Sequence, residues 1–176
     1  MREEERKRIE DIVDSIRDFF QIPAPIGDID EIVKKLDGTI EIVEDIISDG
    51  KLEMSSNNSE GKFIIKLSPV QSKERRNFTI AHELGHLFLH TNYIESVLED
   101  KKLTFGEFYR SGNTKREYQA NEFAANLLTP RKLFIETIEE NTNENKMVDM
   151  ERVANKFGVS IDMAVTRGRW MGLLGW

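Results

Sequence analysis

The stretch Phe78–His90, FTIAHELGHLFLH, decides the reading of this chain. On a helix of 100° per residue, Ile80, Ala81, Leu84, Leu87 and Phe88 fall on one stripe roughly 120° wide, the usual width of a core-facing surface. His82 and His86 lie on the other side, about 40° apart around the axis and about 6 Å along it. Two imidazoles so placed can converge on one metal ion, and Glu83 beside them could hold the attacking water. The plain alternative is a solvated polar face. Against it, the two histidines share a face with the glutamate and are two of only 3 in the chain.

A catalytic zinc takes three protein ligands, so a third must come from elsewhere. His90 is nearest in sequence. It lies about 12 Å along the axis from His82, too far for one ion on a straight helix. The glycine that lets a zincin helix turn towards a third histidine is missing. His90 is therefore expected to touch the ligands from behind or to pack near the cleft.

A second candidate helix runs through EYQANEFAANLLTP, Glu117 to Pro130. Ala120, Phe123, Ala124, Leu127 and Leu128 form its apolar stripe, with Glu117 and Asn121 along the edge. An inward carboxylate needs a partner to offset its desolvation, and both a metal ion and a buried arginine would serve Glu117. Glu122 points the other way. It reads as a solvated carboxylate whose removal would change stability by no more than roughly 0.5 kcal/mol.

Composition narrows the chemistry. With 176 residues, 39% of them hydrophobic, the chain can bury one sizeable core. There are no cysteines, so disulfides and thiolate ligands are excluded and metal must come through His, Asp and Glu. A formal charge of −7 argues against strong nucleic-acid binding. The charged N-terminus is unlike a signal peptide and no run reaches the roughly 18 apolar residues of a membrane span, which points to a cytoplasmic protein.

The rest of the chain supplies the frame. Ile9, Ile12, Val13, Ile16, Phe19 and Phe20 mark an amphipathic first helix, stopped by Pro23 and Pro25. Asp28 and Glu31 resemble a capping box for a short second helix that Gly38 is placed to end. TIEIV, KLEMS and KFIIKL read as three strands, with KFIIKL either the edge a substrate could extend or a central strand. Helical period returns over Val70 to His90, Lys115 to Leu128, Arg131 to Glu140 and Asp149 to Phe157. Thr91 to Thr114 has no clear period and is long for a plain connection.

RRNFTIAHELGHLFLH followed by KREYQANEFAANLLTP resembles the ImmA/IrrE family of bacterial metallopeptidases, which are gluzincin-like in active-site design. The resemblance runs from about Gly38 to the C-terminus and is weakest over Thr91 to Thr114. It implies an α+β, zincin-like fold: a small three-stranded sheet packed on the active-site helix, then a mostly helical half. It implies a metallopeptidase domain over 1–145 and a helical appendage over 146–176. Carried across, His82, His86 and Glu117 are the expected ligands of Zn2+, or of another divalent metal such as Mn2+, and Glu83 is the general base. The expected partner is a protein substrate, a helix-turn-helix repressor in a phage, mobile-element or stress circuit. The alternative function is a non-cleaving binder that sequesters such a repressor.

Two features stay open in the sequence. His90, Tyr93, Tyr109 and Arg110 are candidate donors to the developing oxyanion, and Glu95, Glu99 and Asp100 are reserve ligands should Glu117 not serve. MERVANKFGVSIDMAVTRGRWMGLL has the outline of a helix-turn-helix, with Gly158 at the turn and Ser160 as the second cap. Only Arg167 and Arg169 add positive charge to its second helix, and Asp162 opposes them. A packing hairpin or docking surface fits that charge pattern better than DNA reading.

Overall fold

The computed structural model describes residues 1–55, 61–99, 102–104 and 114–175. The order of elements is α1 (Glu3–Phe20), α2 (Ile29–Lys35), β1 (Gly38–Ile42), β2 (Gly50–Met54), β3 (Phe63–Leu67), α3 (Lys73–His90), α4 (Tyr93–Leu98), α5 (Thr114–Leu128), α6 (Arg131–Glu140), α7 (Met150–Phe157) and α8 (Ile161–Trp170). The fold is α+β, with a three-stranded sheet against α3 and a helical second half, as the sequence predicts. No described helix is long and apolar enough to cross a membrane.

The strand order is β1-β3-β2, with β1 parallel and β2 antiparallel to β3. KFIIKL is therefore the central strand. Its Phe63, Ile64, Ile65 and Leu67 are all buried, the continuous apolar run of a strand covered on both faces. The unpaired edge towards the candidate cleft belongs to β2, whose Gly50 and Lys51 line it.

Helix α3 runs through the middle of the molecule. Ser72 caps it by accepting a hydrogen bond from the Arg75 backbone N–H, so it begins three residues later than the periodicity at Val70 suggests. β2 and β3 pack on one side of it and α5 on the other. Ile80, Ala81, Leu84 and Leu87 are buried as expected, but so are Glu83, Gly85, His86 and His90. A helix sandwiched between two layers has no solvated face along its middle, which removes the plain reading of the histidine pair.

α1 lies along α5. Its buried Arg17 donates to the Leu127 carbonyl at 2.7 Å, satisfying the end of α5, and to the Ile22 and Pro23 carbonyls. Phe19, assigned to the apolar stripe from its spacing, is exposed instead. Asp28 caps α2, while Glu31 pairs with Lys34 and not with the cap. Asp37, rather than Gly38, takes the left-handed turn after that helix.

Part of the segment without clear period is helical: α4 begins at Tyr93. Tyr93 is 1% exposed, packs edge-on to Phe63 and Phe88, and donates its hydroxyl to the Leu36 carbonyl at 2.7 Å. It is a core residue and does not reach the cleft. Tyr109, Arg110 and Asp100 lie outside the described residues.

α7 and α8 form the helical pair expected at the C-terminus, with Gly158 left-handed at the turn and Ser160 capping α8. The turn is tied to α3, since the Asn77 side chain donates to the Gly158 carbonyl at 2.9 Å. Val153, Ala154, Phe157 and Ala164 belong to the same hydrophobic cluster as α3 and α5.

Candidate metal centre

α3 brings His82 and His86 to the side facing α5, and α5 brings Glu117 opposite them. His82 Nε2 lies 3.0 Å from His86 Nε2. The Glu117 carboxylate oxygens lie 3.2 Å and 3.5 Å from those two nitrogens. All three candidate ligand atoms fall within 4.8 Å of one another. Glu117 is 54% exposed, so it sits at the cleft mouth and not in the interior that the desolvation argument assumes.

The hydrogen bonds behind the histidines fix which nitrogens carry protons. Glu5, on α1, is held below the usual carboxylate range by hydrogen bonds from Gln119 and Lys115, so it is an acceptor. The Gln119 amide N–H donates to it at 2.8 Å. Gln119 Oε1 then accepts from His90 Nε2–H at 3.1 Å, which leaves His90 Nδ1 as a lone pair 2.9 Å from His86 Nδ1. His86 must donate there, and its Nε2 is unprotonated. His82 Nδ1 lies 2.9 Å from Asn121 Oδ1, which as a carbonyl oxygen can only accept, so Nδ1–H donates there and Nε2 is the nitrogen turned to the cleft.

His82 Nε2, His86 Nε2 and the Glu117 carboxylate thus face one point. A shared proton or a metal ion would offset the crowding of these acceptors. A proton on His86 is opposed by burial and by His82, His90 and Arg116, which together push its pKa down to about 3. A divalent cation satisfies all three groups at once, and neutral imidazoles held by hydrogen bonds to their far nitrogens suit zinc. The residues present fit the metal.

Glu83 is 6% exposed beside this triad. Its pKa is raised to about 7 by burial first and the Glu117 charge second, with a hydrogen bond from the Leu52 backbone pulling the other way. β2 comes this close because residue 50 is glycine: a Cβ there would clash with Thr79 Cγ2 and lie 3.3 Å from Glu83 Oε1.

The cleft, about 670 Å3, is lined by these residues and by Arg75, Phe78 and Arg116. Arg116 Nη1 is buried with no hydrogen-bond partner among the described residues. His90 stands behind His86 and orients it. Arg116 and the Gln119–Glu5 relay were not found by sequence reasoning. Arg116 precedes Glu117 directly, but nothing in the periodicity of α5 marks it, and Glu5 reaches the site only through the packing of α1.

Gly85 sets the spacing of the two helices. A Cβ at this position would lie 3.0 Å from the Ala120 Cα and carbonyl oxygen and 3.1 Å from Phe123 Cβ. Gly85→Ala should force α3 and α5 apart, lowering stability by about 1–3 kcal/mol and loosening metal binding. Thermal melting and a metal titration check this; a variant equal to wild type in both would show that the helices have room to spare.

Comparison with known proteins follows the same lines. No curated protein matches the chain significantly. Among solved structures, a Mycobacterium tuberculosis transcriptional regulator superposes with a TM-score of 0.58 at 15% identity, covering 92% of this chain and 46% of its own. That likeness is one of fold, and the chain spans just under half of that protein's length. The family model of peptidase M78, the IrrE N-terminal-like domain, matches residues 40–168, a span that holds the histidine pair, Glu83, Glu117 and most of the C-terminal helices. The chain belongs to the IrrE N-terminal-like family.

Proposed function

We propose that this chain is a cytoplasmic zinc-dependent endopeptidase that hydrolyses a peptide bond in a partner regulator. The partner class implied by the resemblance is a helix-turn-helix repressor. The observation that carries the activity is the convergence of His82, His86 and Glu117, whose ligand atoms lie within 4.8 Å of one another, beside the buried carboxyl of Glu83.

His82 Nε2, His86 Nε2 and the Glu117 carboxylate would hold the metal. Bound there, zinc would supply Lewis acidity for the scissile carbonyl and for the attacking water. Glu83 takes the proton of the attacking water and passes it to the leaving amine. Arg116 offers a cationic N–H to the oxyanion. The edge of β2 at Gly50 and Lys51 aligns the substrate backbone as an added strand, which suits cleavage of an extended segment. His90, Gln119 and Glu5 keep His86 in the ligating tautomer.

The direct test is to incubate the metal-loaded chain with the helix-turn-helix regulator encoded beside its gene, with and without chelator. New termini are then mapped by mass spectrometry. One new pair of termini, absent with chelator, is expected. A regulator that is bound but stays intact would replace this reading with that of a non-cleaving binder.

A further inference from the structure

The cleft does not end at the histidines. Arg75, Phe78 and Asn121 line it and also line a second groove of about 620 Å3, which continues between α3, α5 and α8. That volume is in the range of pockets that enclose small ligands, roughly 300–1,000 Å3. Phe78 stands one helical turn before His82, about 6 Å along the axis. Past that junction the walls turn apolar, with Tyr118, Ala125, Met163 and Trp170.

Two of these walls are large aromatics left open to solvent, Tyr118 at 58% and Trp170 at 56% exposure. Trp170 is held in place: the Arg6 guanidinium lies over its ring at 3.7 Å, and Arg6 pairs with Glu122 at 3.8 Å. Glu122 also pairs with Arg167, which donates to Asn126 Oδ1 at 2.6 Å. Arg6, Glu122 and Arg167 on the groove floor are paired with one another, while Glu74 and Asp162 stand elsewhere in its lining, so the apolar surface is carried by Tyr118, Ala125, Met163 and Trp170. A preformed surface of this kind binds without the cost of ordering its own side chains.

We infer that this groove receives one large apolar side chain of the same extended peptide whose backbone crosses the cleft, and so sets substrate preference. The inference rests on the peptidase reading and names its substrate class: an unstructured segment with a Leu, Met or aromatic residue near the cut. An extended chain advances about 3.3 Å per residue, so the offset of about 6 Å puts the mouth of the groove about two residues along the peptide from the scissile bond. α8, half of the helix-turn-helix-like pair, here builds one wall of a specificity pocket.

Thr166 is exposed and lines the groove, so it can be changed without disturbing the core. Thr166→Trp would fill the groove and Thr166→Glu would place a charge in it. The experiment pans a library of random dodecapeptides on the metal-loaded Glu83→Gln protein, which holds peptides uncut, and on that protein carrying either Thr166 change. Metal content and melting temperature confirm that each protein is folded. Selected peptides should share one large apolar position, and their recovery should fall at least tenfold on both Thr166 variants. Absence of any bound peptide, no shared apolar position, or equal recovery on the filled groove would overturn the inference. Exposure of the selected peptides to the wild-type protein then tests the peptidase reading separately. Peptides selected through the groove yet never cut would leave the groove standing and remove hydrolysis. Cleavage with no apolar preference would do the reverse.

Discussion

Glu83→Gln should keep the metal and the fold while cleavage of a true substrate falls by roughly a hundredfold to ten-thousandfold, the range associated with a general acid–base group. The side chain keeps its size and its position beside β2 but loses the ability to take a proton. The same change should stabilise the metal-free chain, and the sign can be worked out. The Glu83 carboxyl loses its proton near pH 7 when folded and near 4.5 when unfolded. Between those values the folded state binds more protons, so wild-type stability falls as pH rises through the window. Above it the buried charge costs on the order of 3 kcal/mol. Measured in chelator at pH 8, Glu83→Gln should therefore melt higher than wild type, with the gap closing as pH falls towards 4.5. A group that lowers stability where it sits is retained for what it does. Cleavage at near wild-type rate would remove Glu83 from the mechanism, and loss of metal from the variant would make it a ligand.

The parts of the site carried by local spacing were legible in the sequence. His82, Glu83 and His86 share one turn of one helix, and Glu117 with Asn121 shares one edge of another, so the period of 3.6 residues relates them directly. What was not legible depended on which surface each helix meets. Seen by itself, α3 has an apolar stripe and a polar face; between β2 and α5 it has two buried faces, and Glu83 and His90 go inside. The strand order hides in the same way. KFIIKL reads equally well at an edge or in the centre until its pairing with both β1 and β2 is known. The relay from His86 to Glu5 links residues 81 positions apart in sequence through α1, and no window of sequence contains it.

The two glutamates of EYQANEF should part company on mutation, though not in the way their angles on the helix suggest. Glu117, expected inward, stands half-exposed at the mouth of the cleft with its oxygens against His82 and His86. Glu122, expected in solvent, is only 16% exposed and lies between Arg167, itself 7% exposed, and Arg6. The apolar stripe lies where the spacing puts it, but the face away from it is not solvent, because Arg6 of α1 and Arg167 of α8 cover Glu122 there. The buried arginine pair considered for Glu117 belongs to Glu122. Glu117→Ala should thus leave stability nearly unchanged in chelator but weaken metal binding by more than about a hundredfold, because losing even a group behind a ligand costs 10–100-fold. Glu122→Ala should keep the metal and lower stability by about 3 kcal/mol, since it strands the buried Arg167 charge with Asn126 as its remaining side-chain acceptor. The loss should be smaller in Glu122→Gln, which can still accept a hydrogen bond. Metal content and melting temperature measured on the purified variants separate the two roles. Full metal retention by Glu117→Ala would remove it from the centre; Glu95 and Glu99, the sequence's reserve ligands, lie on α4 and at its C-terminal cap, outside the cleft lining, and do not replace it. A Glu122→Ala chain within 0.5 kcal/mol of wild type would show Arg167 to be satisfied by Asn126 alone.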